Sequence, residues 1–408
     1  MRFNGPVFVN TSKHTWGLKI NAESRMVLSA FGVRRLSTHA FSHLRSLPKN
    51  GGVIKWSDVA DSDRSPTCMS LSHNPIQGRS CVLAAADHAG VVAVFDPTAG
   101  ARRLHDFCSD VQPHVNTVLD LKWACDDSFI ASASADGSVV INSFAQSRLV
   151  PLFALSSKTT EFPFVPPVKS VACHPSTSSL LASGTRHGTL CLWDTRAPET
   201  PISSNLGHFP DSVPNFLPPL RSVHHPFPSE ARSLTGVEFL SDNSLMTCCA
   251  DGSVCLWDLR NFSEPFVAQE ASNSKMRALC CVRLSPCRTR VAFASALGSC
   301  FVQTLPFLDS ESSCTVIPIT PHRELNFGSR LDWSPCGRFF ACGSRDKAIH
   351  IVDMQLGAVS LKLMGHSRSV TDVVWLKHRT GLLSLSKDRQ LRVWNPTMQV
   401  PRARQDAA

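Results

Sequence analysis

The chain contains no tyrosine and no apolar run of about 18 residues, so a membrane-crossing helix is excluded and no membrane partner is expected. Lys/Glu-rich stretches with a 3.6-residue period are scarce, which argues against a helical fold. The 16 cysteines include no Cys-x-x-Cys pair, which removes the usual zinc and thioredoxin-type motifs. Many cysteines sit inside apolar runs, as in LMTCCA (Cys248, Cys249) and ALCCVRL (Cys280, Cys281). A free thiol there behaves as a small buried hydrophobe, and a reducing, intracellular compartment is expected. The sequence also has no P-loop, no Gly-x-Gly-x-x-Gly between a strand and a helix, and no metal-ligand cluster of convincing spacing. No cofactor and no metal are expected.

Turn chemistry and short apolar segments are what the chain has instead, with 27 Pro and 21 Gly scattered through 408 residues. Net charge is +9 and uneven: residues 1–60 carry nine Lys/Arg against two acids, residues 323–408 fourteen against seven, and the stretch between eighteen against twenty-three. The ends are basic and the middle is mildly acidic.

A unit of apolar strand, polar turn, apolar strand, tight turn and apolar strand recurs at roughly 40–60 residues. Copies begin near 67, 114, 168, 234, 278, 329 and 365, seven in all. The turn ADGS occurs at 135–138 and 250–253, and Asp-Gly between alternating apolar runs marks a hairpin in which both central residues are expected at positive φ. One three-stranded unit cannot bury both of its faces, so the units are expected to stack radially as an all-β, seven-bladed β-propeller.

The motifs of these copies resemble the WD40 family. They are the Gly-His openings at Gly207-His208 and Gly365-His366, the turn aspartates Asp136, Asp251, Asp346 and Asp388, and the Trp-Asp closings at 193–194 and 257–258. The resemblance implies that a strand from 26–56 completes the last blade, which LRVWN otherwise leaves one strand short at Asn395. The expected organisation is a basic segment at 1–60 supplying that strand, a propeller at 61–396 and a short disordered tail at 397–408. A Pro-rich insertion at 197–232 interrupts the propeller as a loop without a core of its own, and its His224-His225 pair is expected to face solvent. Residues 1–57 also have the acid-poor composition of an organelle transit peptide, an alternative to the structural role.

His366, Ser384 or Ser386, and Asp388 contain the residue types of a hydrolase triad, and His114, Ser132 or Ser134, and Asp136 repeat them. A catalytic site occurs once, whereas this set recurs with the repeat, so a structural hydrogen-bond network is expected. Its members are His114, Asp136, Trp193, Asp251, Trp257, His366, Asp388 and Trp394. No enzyme activity is expected.

The phrases LCLWDTR (190–196) and VCLWDLR (254–260) place an arginine two residues beyond Trp-Asp in two successive blades. Arg196 and Arg260 are expected to project from one rim, where a guanidinium fork suits carboxylates and carbonyls of a partner. The alternative is a bridge to the chain's own Asp194 or Asp258. The doubled motif resembles that of the substrate receptors of cullin-4 RING ubiquitin ligases. HVNTVLDLKW, VKSVACHP, WDTR, the insertion, WDLR and GHSRSVTDVVW together are similar to the denticleless family within that group. The resemblance implies that Asp194, Arg196, Asp258 and Arg260 contact the adaptor called damaged-DNA-binding protein 1. It further implies a non-enzymatic nuclear receptor whose protein substrates are displayed on the sliding clamp, with any DNA contact indirect. On the opposite face the turn tips would gather Arg186, Arg345, Lys347, Lys387 and Arg389 to attract an acidic partner. A WD40 scaffold or cargo-import receptor with no ubiquitin role is the rival reading.

Overall fold

Alternating apolar strands and tight turns build seven small antiparallel sheets. The computed structural model describes residues 44–46, 53–79, 82–98, 108–145, 148–156, 165–196, 216–217, 219–226, 233–269, 277–305, 314–319, 330–377 and 381–396. All of them belong to one compact unit, Ala40–Ala408. The inner strands of the blades are Pro66–Leu71, Val118–Trp123, Val168–Cys173, Leu234–Ser241, Leu279–Leu284, Leu331–Trp333 and Val370–Trp375. They stand beside one another around a common axis, the seventh returning to the first, and close the ring. The protein is therefore an all-β, seven-bladed propeller.

Each blade has a fourth, outer strand beyond the three that the repeat suggests. Cys108–Val111, Arg148–Ser156, Arg221–His224, Val267–Gln269, Cys314–Pro318 and Ala358–Met364 supply it in blades 1 to 6. In blade 7 the N-terminal segment does so: Leu44–Ser46 pairs with Trp394–Pro396, and Val53–Lys55 pairs with Gln390–Arg392. Trp56 follows at once and is buried between the last blade and the first, its indole N–H donating to Asp87 Oδ2 at 3.1 Å. The outer strand of blade 3 lies within the 197–232 insertion, and Phe216–Leu217 adds a parallel fifth strand to blade 2. Residues 1–43, the tail 397–408 and Gly207-His208 lie outside the described residues.

Packing between blades explains why the sheets stack in this order. Four tryptophans, Trp123, Trp193, Trp257 and Trp394, are among the largest fully buried side chains. Burying a large apolar side chain contributes about 1.5–3 kcal/mol. Inner-strand aspartates tie three blades to the next: Asp120 Oδ2 accepts the Val171 N–H at 3.0 Å, Asp332 Oδ2 that of Trp375 at 2.8 Å, and Asp372 Oδ2 that of Met69 at 2.8 Å. Tryptophans three residues on or fewer reach the other way, as Trp123 Nε1 donates to the Ser70 carbonyl and Trp375 Nε1 to that of Asp332, both at 3.1 Å. The motif Asp-x-x-Trp is thus a two-sided interblade clasp.

The ADGS turns correct one expectation. Only the glycine takes positive φ, Gly137 at 88° and Gly252 at 100°. The Gly137 N–H closes onto the Ser134 carbonyl at 3.2 Å, which is a type I turn followed by a left-handed residue rather than the two-residue mirror-image turn. Lys347 (φ 67°) and Arg389 (φ 63°) occupy the same left-handed place in blades 6 and 7 without being glycine.

Candidate protein-interaction surfaces

All inner strands run in one direction, so the propeller has two distinct faces. On the exit face the third strands end, in Asp194 and Asp258 among others; on the turn face the second and third strands connect. Each face carries a different chemistry.

The His/Ser/Asp sets lie inside the blades. His366 Nδ1 is 2.9 Å from Asp388 Oδ2 and its Nε2 2.8 Å from Ser384 Oγ, which also accepts the Trp394 indole N–H at 2.8 Å. His114 repeats this at 2.9 Å to Asp136 and 2.8 Å to Ser132, with the Asn142 amide replacing tryptophan at 3.0 Å. Trp193 donates to Ser183 Oγ and Trp257 to Thr247 Oγ1, at 2.9 and 3.0 Å. Asp251 accepts the Ser253 N–H and hydroxyl at 2.8 and 2.6 Å, pinning its turn. Burial pulls the Asp136 and Asp388 carboxyls upward, but hydrogen bonds led by their histidines outweigh it and hold both below the usual range. Ser132 and Ser384 are fully buried. His225 departs from the solvent-facing expectation: it is buried, and it follows the outer strand of blade 3 as His114 and His366 follow those of blades 1 and 6. Its Nε2 lies 3.2 Å from Cys255 Sγ, and burial lowers its pKa against the opposing charge of Asp251. Its 26-residue distance to Asp251 differs from the 22 that separate His114 from Asp136 and His366 from Asp388, so spacing alone does not reveal it.

On the exit face both Trp-Asp-x-Arg arginines fold back onto their own aspartates. Arg196 donates through Nε and Nη2 to Asp194 at 3.1 and 2.9 Å, and Arg260 through the same atoms to Asp258 at 3.0 and 2.6 Å. These hydrogen bonds are the main reason that both carboxyls lie below their ordinary pKa. The bridge exists, as the alternative expectation had it, yet it does not seal the guanidinium: Arg196 is 69% exposed and Arg260 63%. Blades 1 and 6 make the corresponding bridge with an arginine from the loop between the first two strands, Arg79 to Asp96 and Arg338 to Asp353, and these side chains are only 28% and 27% exposed. A purely internal bridge is available to this fold in sheltered form, and blades 3 and 4 use an exposed one. Immediately before the outer strand of each of these blades stands an apolar side chain: the Leu220 N–H donates to the Leu192 carbonyl and that of Phe266 to Leu256, at 2.8 and 2.9 Å. Leu220 and Phe266 are 54% and 58% exposed.

The axis is lined by charge that the repeat motifs do not announce. Arg330 donates to Asp120 Oδ1 and to the Leu119 carbonyl, and Arg283 Nη1 lies 3.6 Å from Glu238 Oε2. Burial raises the Asp120 carboxyl, but Arg330, Lys122, Arg283 and the Val171 N–H outweigh it and set its pKa below the ordinary value. For Asp332 burial wins, pushing it up to about 6 despite the Trp375 N–H and nearby cations. A cavity of about 420 Å³ opens from the axis on the exit face, with Lys122, Glu238, Asp332 and Lys377 in its lining. Another of about 500 Å³ opens on the turn face. Arg186 and Lys387 line that second cavity, joined by Lys169; Arg345, Lys347 and Arg389 are exposed at turn tips outside its lining. The five residues expected to act together on this face are thus split: Lys347 and Arg389 are the last residues of their turns, and Arg345, at the same turn position as Arg186 and Lys387, stays outside the lining as well.

With this geometry in view, the class of the protein follows: it is a WD40-repeat β-propeller. The sequence matches the family described as WD domain, G-beta repeat, over residues 107–141, 163–194, 219–258, 329–353 and 357–395. Within that class the chain resembles the denticleless/Cdt2 family. It is 24% identical over 400 residues to Protein lethal(2)denticleless of Drosophila melanogaster, covering 89% of this chain and 48% of the relative. It is 23% identical over 359 residues to Denticleless protein homolog B of Xenopus laevis, covering 82% and 48%. Against Cell division cycle protein cdt2 of Schizosaccharomyces pombe the identity is 25% over 359 residues, covering 82% and 69%. The chain spans about half the length of the animal relatives it matches.

Proposed function

We propose that this propeller is the substrate-receptor subunit of a cullin-4 RING ubiquitin ligase, acting in the nucleus on replication- or repair-linked proteins. In this reading it performs no chemistry itself. The exit face docks on the adaptor damaged-DNA-binding protein 1 through Asp194, Arg196, Asp258 and Arg260, and the turn face receives the substrate, including one displayed on the sliding clamp. Any DNA contact is indirect.

The observation that carries the reading is the pair of exposed arginines at equivalent places in adjacent blades, each held in a fixed orientation by its own aspartate. A guanidinium whose inner edge is already anchored loses little rotamer freedom when its outer donors meet a partner carboxylate or carbonyl. Leu220 and Phe266 add exposed apolar contacts beside them, and arginine with aromatic and aliphatic side chains is the composition of interface anchors. The likeness to denticleless relatives over most of the chain supports the same assignment.

The test is capture of the adaptor from cell extract by wild type and by Arg196→Ala plus Arg260→Ala, with thermal unfolding as the control for folding. Loss of the adaptor from the folded double variant is expected. Full retention would remove the arginine argument and leave the scaffold reading in its place.

A further inference from the structure

The turn-face cavity has a surplus of cations over carboxylates among the described residues. Its lining includes Lys169, Arg186, Arg283, Arg330 and Lys387 against one carboxylate, Asp120. Arg330 already holds that carboxylate, and Arg283 is committed to Glu238 and to the Val282 carbonyl. Among the described residues Lys169, Arg186 and Lys387 make no ion pair. The three come from two blades, Lys169 and Arg186 from blade 3 and Lys387 from blade 7, and converge on one concave mouth.

We propose that this cavity binds a phosphorylated serine or threonine side chain of a peptide laid across the axial mouth. Lys169, Arg186 and Lys387 supply both the charge and the hydrogen-bond donors. A phosphate monoester carries a charge of about −1.5 to −2 and three strong acceptor oxygens, which suits several uncommitted cations better than a single carboxylate does. A phosphate on a flexible side chain enters a concave mouth of about 500 Å³, whereas the phosphates of a duplex lie along a rod too wide for it. Burial and the neighbouring Arg186 charge hold the Lys169 ammonium below its ordinary pKa, a strain that a bound anion relieves. The role of this site as a substrate contact rests on the receptor reading above, while the binding chemistry does not.

Isothermal titration of the isolated protein at constant ionic strength tests the proposal. The probes are a five-residue acetylated peptide with a central phosphoserine, its serine and glutamate counterparts, and a single-stranded oligonucleotide of equal charge. Saturable one-to-one binding of the phosphopeptide is expected, at least tenfold weaker in Lys169→Gln plus Arg186→Gln and in the separate turn-tip variant Lys387→Gln. Lys347→Gln plus Arg389→Gln, on the same face outside the cavity, should stay within twofold of wild type. The proposal is overturned if the phosphopeptide does not saturate, if the glutamate peptide binds as well, if the folded cavity variants bind unchanged, or if the oligonucleotide binds more tightly through the same residues. No adaptor is present in the titration, and the cavity variants should capture the adaptor at wild-type level, so each reading can fail without the other.

Discussion

Replacing Arg330 with methionine keeps most of the side-chain volume and removes the charge that holds Asp120 at the axis. Asp120 is buried and still accepts the Val171 N–H, but its ion pair with Arg330 is lost, and the Leu119 carbonyl loses its guanidinium donor as well. Breaking a buried pair from one side costs about 3–5 kcal/mol, a large share of a stability that is typically 5–15 kcal/mol. Lys122 and Arg283, which also lower the Asp120 pKa, remain and place the loss toward the lower end. The pH dependence gives the sharper reading. In the wild type a depressed Asp120 pKa contributes stability that is present above the ordinary carboxylate value and fades as pH falls through the folded one. Without Arg330, burial dominates and the pKa rises, so the variant loses stability as pH climbs from about 4 towards 7. Urea unfolding of both proteins at pH 5 and pH 7 should show a gap that is wider at pH 7. Adding Asp120→Asn, which keeps an acceptor for Val171 and removes the stranded charge, should recover about 2 kcal/mol or more. A loss under about 1 kcal/mol, equal at both pH values, would refute the reasoning.

Three further outcomes follow from the same geometry. Asp332, pushed up to about 6 by burial, binds its proton more tightly folded than unfolded, so this site makes stability fall as pH rises between about 4 and 6; Asp332→Asn should gain about 1–3 kcal/mol at pH 7, and unfolding curves showing no gain would contradict the assignment. Trp394→Phe removes one donor to Ser384 and should cost about 0.5–1.5 kcal/mol, whereas Ser384→Ala strands both Trp394 Nε1 and His366 and should cost about 2–3 kcal/mol; calorimetric melting that reverses this order would break the network picture. Arg389→Gly relieves a left-handed backbone and should raise stability by about 0.5–1 kcal/mol after the entropy of glycine is counted, so a lowered melting temperature would argue against strain there.

Blade number and ring closure were legible because three strands of each unit are buried on both faces and read as short apolar runs, as in LLASGT at 180–185. The outer strands were not, since one face meets solvent: AVSLKLM at 358–364 alternates exposed and sheltered residues and looks like surface. The paired arginines stood out because they are local repeats, but their exposure relative to Arg338 depends on which loop donates the guanidinium. The axial charges left only a partial trace. Asp120 and Asp372 share the Asp-x-x-Trp spacing, while Asp332 directly precedes its tryptophan; Arg330, Arg283 and Lys169 come from different blades and meet only when the ring closes. His225 was missed because proline-rich surroundings suggested a loop, while its place after an outer strand makes it a core residue.

Blade 7 is stitched from segments at opposite ends of the chain order, Leu44–Lys55 against Gln390–Pro396. During synthesis at about 5–20 residues per second, the early strand must wait roughly 20–80 s for its partner to leave the ribosome. Through that interval six blades can stack while the circle stays open, with the apolar faces of blades 1 and 6 uncovered on either side of the gap. Ribosome-bound chains of this protein should therefore need shielding until the last strand emerges, and any slowing of translation late in the message lengthens the period of exposure.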